Sequence, residues 1–208
     1  MNTTASTNDG VAQMIDTAAM LKAFNAHRGD AIVVPGRGGR HWVHISGEPH
    51  LDLPMGDPAM GGHSGFAFGL ALAQPKRRVV LFDSEGDLQM SLGILLTIAE
   101  LRPANFHHFL LDNECYATTG GQPVPNAKNV DYAMMARAAG YPRTYAFSEL
   151  DKVSAALPEI LGQPGPVFVA MKVNPDIENK PIGDRVRWRT RGWTQVIADL
   201  QRKIGIAA

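Results

Sequence analysis

Short apolar runs alternate with longer, partly polar stretches along most of this chain. Ala31-Ile32-Val33-Val34, Val79 to Asp83, Phe106 to Leu111 and Pro166 to Val173 are brief and mostly apolar, as strands buried on both faces are. Between them lie segments with helical spacing. Val11 to Ala26 repeats its apolar residues at Val11, Met14, Ile15, Ala18 and Leu21. Met60 to Ala73 is small and apolar, with glycines at 61, 62, 65 and 69. Leu88 to Leu101 reads as a helix ended before Pro103, and Asp131 to Ala139 as one stopped by Gly140. Ser148 to Leu161 opens with Ser148 and Asp151 at capping-box spacing, Asp standing for the usual Glu or Gln. Trp193 to Ile204 is the last predicted helix. Strands alternating with helices predict an α/β fold: a doubly wound, mainly parallel sheet with helices on both faces, in a single domain. The polar stretch 1–10 is expected to be a disordered N-terminus, with the domain over 11–208.

The loops sit where such a sheet places its chemistry. Gly36-Arg37-Gly38-Gly39-Arg40 follows the first strand, and the irregular stretch His41 to Pro58 comes next. Glu85-Gly86 ends the second strand, and Asp112-Asn113-Glu114 ends the third. In an open α/β sheet, ligands bind beyond the carboxyl ends of the strands. A carboxylate and a carboxamide there are the oxygen donors that Mg²⁺ takes when it also holds a phosphorylated ligand. Glycines 36, 38 and 39 let backbone N–H groups approach phosphate oxygens, with Arg37 or Arg40 adding charge. The helix start after Gly86 offers further donors.

Composition narrows the classes. The chain has 208 residues with a formal net charge of zero, so its charge balance does not favour nucleic acid or an anionic membrane. Arg185, Arg187, Arg189 and Arg191, at alternate spacing, read as a solvated or subunit-facing segment. A single cysteine, Cys115, excludes an internal disulfide and any cysteine-built cluster. No apolar run reaches the roughly 18 residues of a membrane span, and the N-terminus lacks signal-peptide character, so the expected location is cytoplasmic. His41, His44, His50 and His63 fall near the predicted site and are candidates for acid–base work or for binding an anionic substrate.

Val79 to Met90, followed by Leu111-Asp112-Asn113-Glu114-Cys115-Tyr116, resembles the thiamine-diphosphate motif, in which Gly-Asp-Gly is followed some 25 residues later by Asn-Asn. Ser84-Glu85-Gly86 takes the Gly-Asp-Gly place, so the first Gly is Ser and the Asp is Glu. The resemblance makes Glu85 the metal carboxylate, with Asp87 as the rival ligand, Asn113 a side-chain ligand, and Cys115 a ligand through its carbonyl. Pro58-Ala59-Met60-Gly61 looks like the family's Gly-Ser-Met-Gly segment. It implies that the Pro58 carbonyl accepts a bond from the cofactor's 4′-amino group and that Met60 bends the cofactor. Thr119-Gly120-Gly121-Gln122-Pro123 looks like the corresponding loop of phosphonopyruvate and sulfopyruvate decarboxylases. The expected cofactor contacts are Gly36, Arg37, Gly38, Pro58, Ala59 and Met60, then Gly86, Asp87, Asn113, Ala117 and Thr118. Met60 and His63 are the expected catalytic residues.

The resemblance implies a thiamine-diphosphate- and Mg²⁺-dependent 2-oxo acid decarboxylase, a lyase. It supplies only the diphosphate half of the site. A pyrimidine domain, with its activating Glu, needs roughly another 150–170 residues. The expected partner is therefore a separate α-type pyrimidine-domain chain, in an α₂β₂ assembly. The alternatives are a thiamine-dependent carboligase or lyase subunit and a non-catalytic cofactor-binding subunit.

Overall fold

A computed structural model describes residues 14–55, 60–185, 187 and 189–206. The chain runs α1 (Thr17–Asn25), β1 (Ile32–Pro35), α2 (His63–Ala73), β2 (Val79–Ser84), α3 (Glu85–Met90), α4 (Ile94–Leu101) and β3 (Phe106–Asp112). It continues through a hairpin of β4 (Cys115–Tyr116) and β5 (Gln122–Pro123), then α5 (Tyr132–Ala139), β6 (Arg143–Phe147), α6 (Leu150–Gly162), β7 (Val167–Lys172) and α7 (Trp193–Lys203). Short 3₁₀ turns span Arg37–His44, Pro49–Leu51, Ala117–Thr119 and Ile182–Asp184.

Five strands form one parallel sheet in the order β1-β2-β3-β7-β6. Alternate residues of each strand serve opposite faces, as the pleat requires. Ile32, Val34, Val79, Leu81, Phe106 and Leu110 pack toward α2, α4, α5 and α7. Val33, Val80, Phe82, Phe109, Val169 and Met171 pack toward α1 and α6. The doubly wound arrangement is the one the alternation predicts. Among the described residues, no helix is long and apolar enough to cross a membrane.

Several boundaries differ from expectation, each for a local reason. The first helix begins at Thr17 rather than Val11, because Asp16 caps it by accepting from the Ala19 amide at 2.7 Å. Ile15 is instead held in extended backbone, donating to the Lys172 carbonyl and accepting from the Asn174 amide. The segment read as one helix over 88–101 is two, α3 and α4, separated around Ser91 to Gly93. The helix read from Met60 begins at His63. Ser148 makes no capping box: α6 starts at Leu150 with Glu149 at its cap and no side-chain cap bond. Strand β6 was not predicted, since this edge strand is only half-buried and lacks an apolar run. Asp131 and Gly140 behave as read, the first capping α5 through the Met134 amide and the second closing it at φ +110°. The predicted tail 1–10 lies outside the described residues.

Candidate thiamine-diphosphate site

The carboxyl ends of β1, β2 and β3 bound a cleft of about 280 Å³. The turn after β1 is pressed against β2. A Cβ on Gly36 would stand 2.6 Å from the Phe82 carbonyl, and one on Gly38 would stand 2.8 Å from that of Asp83. The Gly36 amide donates to Phe82 O and the Gly39 amide to Gly36 O. The N–H groups of Gly36 and Gly39 are thus taken within the strand and turn, and Gly38 is the glycine of that turn that lines the cleft.

The structure brings most of the predicted residues together. Arg37, Gly38, Met60, Gly86 and Asp87 line the cleft, facing Asn113, Cys115, Ala117 and Thr118. Gly86 is needed because Tyr116 leaves no room for a Cβ, which would lie 2.7 Å from its ring. Met60 is 58% exposed at the cleft rim, so it is not core. Gly36, His63 and Glu85 do not line the cleft. Pro58 and Ala59 lie outside the described residues.

Glu85 and Asp87, two residues apart, have opposite environments. Glu85 is fully buried; its Oε2 accepts from the Asn113 amide at 3.3 Å, and its Oε1 has no partner among the described residues. Burial pushes its pKa up to about 8, and the Asp112 carboxylate adds to the rise. A buried carboxylate with an orphaned oxygen calls for a cation or a proton. Asp87 has both oxygens engaged. Oδ1 accepts from the Gly61 amide at 2.8 Å, and Oδ2 lies 2.6 Å from His63 Nδ1. Arg37 Nε stands 4.0 Å away. Burial opposes the Asp87 charge, but the His63 bond outweighs it and holds its pKa below the usual carboxylate range. Burial likewise opposes charge on His63, and Asp87 overrides it and raises the imidazole pKa.

His63 is therefore a buried ion-pair partner that does not reach the cleft, contrary to its expected place among the catalytic groups. His63, Asp83 and Asp87 bring ligand-type atoms within 4.8 Å of one another. That cluster is closed by its own bonds, since Asp83 pairs with His108 and accepts from the Ser84 amide. Burial, with the carboxylates of Glu85 and Glu114, raises the Cys115 thiol pKa, which does not favour a catalytic nucleophile at this position.

Sequence reading missed one wall. Residues after β7 fold back across the cleft, where Asp176 accepts from Arg40 Nη2 and pairs with His41 Nε2, each at 2.6 Å. Burial opposes the Asp176 charge, but His41 and Arg40 hold its pKa low. Further along, the Glu178 amide donates to Ala117 O, Ile177 fills the space above Gly121, and Arg185 donates to Thr118 O. No local pattern marks Asp176, because its partners lie 135 and 136 residues away.

A parallel sheet with a cleft and an acid–amide pair at its carboxyl edge defines an α/β domain of the ligand-binding kind. The chain belongs to the thiamine pyrophosphate enzyme family: the model of the C-terminal TPP binding domain matches residues 37–171. It is 38% identical over 126 residues to sulfopyruvate decarboxylase subunit beta of Methanothermobacter thermautotrophicus, covering 61% of this chain and 64% of that one. It is also 38% identical over 117 residues to phosphonopyruvate decarboxylase of Streptomyces viridochromogenes, covering 56% of this chain but 29% of that one. The chain thus spans less than two thirds of either relative. Benzoylformate decarboxylase from Polynucleobacter necessarius shares the fold, with TM-score 0.66 and 17% identity over 84% of this chain and 36% of that one.

Proposed function

We propose that this chain is the diphosphate- and Mg²⁺-binding subunit of a thiamine-diphosphate-dependent 2-oxo acid decarboxylase, working with a separate pyrimidine-domain chain. The observation that carries this is the buried Glu85 carboxylate, with an unpartnered Oε1, beside Asn113 at the carboxyl edge of β2 and β3. Glu85, the Asn113 side chain and the Cys115 carbonyl would hold the metal. Asp87 is set aside as a ligand, since Gly61 and His63 occupy its oxygens. Arg37, between Asp87 and Thr118, brings positive charge to the diphosphate. Thiamine diphosphate, when bound, supplies the electron sink for loss of CO₂ from a 2-oxo acid. The protein's share is orientation and charge. Met60 shapes the cofactor at the rim, and the Asp87–Gly61 bond fixes the segment that carries Met60.

An α-type partner is supported by the subunit naming of the sulfopyruvate decarboxylase relatives and by exposed apolar side chains at the cleft rim and on two helices. Met60 and Met90 belong to the rim, and Leu72 and Leu96 stand on α2 and α4. An α₂β₂ assembly is the expected form, because closed two-fold symmetry is the commonest solution. The test is to purify the chain with and without a pyrimidine-domain partner and assay sulfopyruvate and phosphonopyruvate with thiamine diphosphate and Mg²⁺. CO₂ and free aldehyde from the pair, but not from the chain alone, is the expected result. A new C–C bond would make it a carboligase. Full activity from the chain alone would end the two-chain reading.

A further inference from the structure

The turn that carries Asn113 and Cys115 is under strain, and something outside it holds it. Glu114, between the two candidate ligands, has φ +65°, a left-handed conformation that a side-chain-bearing residue rarely adopts. The turn also gathers three carboxyl groups, since Asp112 and Glu114 belong to it and Glu85 accepts from the Asn113 amide. Lys172, the last residue of β7, lies directly opposite Asp112 in the parallel register. Its ammonium stands 2.7 Å from Asp112 Oδ2 and 2.9 Å from Glu114 Oε1. The two carboxylates flank Asn113 on either side in sequence, so one cation ties both ends of the strained step. Inside the turn, Asp112 Oδ1 accepts from the Glu114 amide at 3.3 Å, and Asn113 Oδ1 accepts from the Cys115 amide at 3.0 Å. The Glu114 carbonyl accepts from Val124, which ties the same turn to the β4–β5 hairpin.

We infer that Lys172 is a positioning residue that clamps the Asn113–Cys115 turn through its paired bonds to Asp112 and Glu114 and so presents Asn113 and the Cys115 carbonyl to the metal. The clamp is a property of the turn itself; its bearing on the metal rests on the function proposed above. Lys172 touches neither cofactor nor substrate, and it acts through the two acids. Partners of this kind, behind a metal ligand, commonly set the ligand's orientation.

The chain's single cysteine lies in this turn and lines the cleft, so its labelling rate reports the turn directly. The first measurement is Cys115 modification by a disulfide reagent in the cofactor-free protein. Lys172→Met should be labelled several-fold faster than wild type, and Lys172→Arg should return toward the wild-type rate. Glu114→Gln, which removes only the more exposed leg, should move the rate in the same direction by less, and it serves as the second variant if Lys172→Met folds poorly. The second measurement is the Mg²⁺ concentration at which thiamine diphosphate protects Cys115, with the partner chain present. It should rise by about 10–100-fold in Lys172→Met, with recovery in Lys172→Arg. Wild-type labelling rates in both Lys172→Met and Glu114→Gln would overturn the clamp. Faster labelling with an unchanged Mg²⁺ requirement would overturn its link to the metal. A wild-type protein that shows no Mg²⁺-dependent protection would overturn the proposed function, while the cofactor-free rates would still judge the clamp.

Discussion

The two faces of the sheet are finished to different degrees. On the α1/α6 face, Phe24, Trp42, Phe82 and Phe109 interlock, with Phe24 and Phe82 edge to face at 4.9 Å and an 88° interplanar angle. All four rings are fully buried. Aromatic pairs in such geometry contribute about 0.5–1.5 kcal/mol each beyond their area. The opposite layer, built from α2, α4, α5 and α7, seals the sheet but keeps apolar side chains on its outer side. Leu96 is 63% exposed, and Leu72, Leu101 and Met134 are also exposed. Met60 and Met90 extend that character to the cleft rim, above the carboxylate with an oxygen left unpaired. One face closes on itself, whereas the other leaves apolar side chains exposed beside the candidate site. The lesson is that stability and function are separable here, and variants should show it.

The largest expected effect is on the closed face. Phe82→Ala should cost about 3–5 kcal/mol in denaturant unfolding, by the loss of ring burial and the cavity left behind. A loss well under that would mean the aromatic cluster is not the anchor of this face. Asp87→Ala comes next, at about 3 kcal/mol, because it strands the buried His63. Its thiamine diphosphate affinity should fall by less than that of a Glu85 variant; the reverse order would move the metal to Asp87.

Glu85→Gln should behave in the opposite way. The cofactor-free protein should melt no lower than wild type, since a buried carboxylate with an orphaned oxygen is replaced by a neutral amide. Mg²⁺-dependent cofactor affinity, read by calorimetry, should drop by roughly 100-fold, or about 2.7 kcal/mol. A large fall in melting temperature with intact affinity would make Glu85 a structural residue.

The closed face also carries an acid-sensitive group. His107 on β3 is buried against α6, bonds the Ile160 carbonyl, and has its pKa pushed down to about 4 by burial, with Arg78 adding to the fall. The unfolded imidazole takes up its proton near the ordinary value of about 6.5. Between those values the unfolded state binds more protons, so stability falls as pH drops from about 6.5 toward 4, by about 3 kcal/mol. It is fully present above 6.5. His107→Gln should flatten that part of the pH–stability curve; an unchanged slope would assign it to other groups.

The smallest effect on stability belongs to the open face. Leu96→Glu should change unfolding free energy by no more than about 0.5 kcal/mol, as exposed sites do. It should nonetheless weaken co-purification with the pyrimidine-domain chain. Normal pairing with that partner would take Leu96 out of the interface.

Much of this protein was legible in its sequence, because the signals were local. Runs such as Val79 to Phe82 mark buried parallel strands by composition alone, and Gly140 and Asp131 mark helix ends by backbone chemistry confined to one turn. Ser84-Glu85-Gly86 and Asn113 could be placed on one sheet edge because each ends an apolar run and one crossover joins them. Only the tertiary structure gave the two neighbouring carboxylates, Glu85 and Asp87, opposite environments. It did so by bringing His63 to Asp87 from 24 residues away. It also set Lys172, 58 residues from Glu114, beside the turn that carries Asn113, and it folded Asp176 over the cleft. These pairings depend on strand order and on how the chain returns after β7. The physical reason is that helix and strand periodicity reports which face a residue occupies, whereas an ion pair depends on which distant element lies against that face.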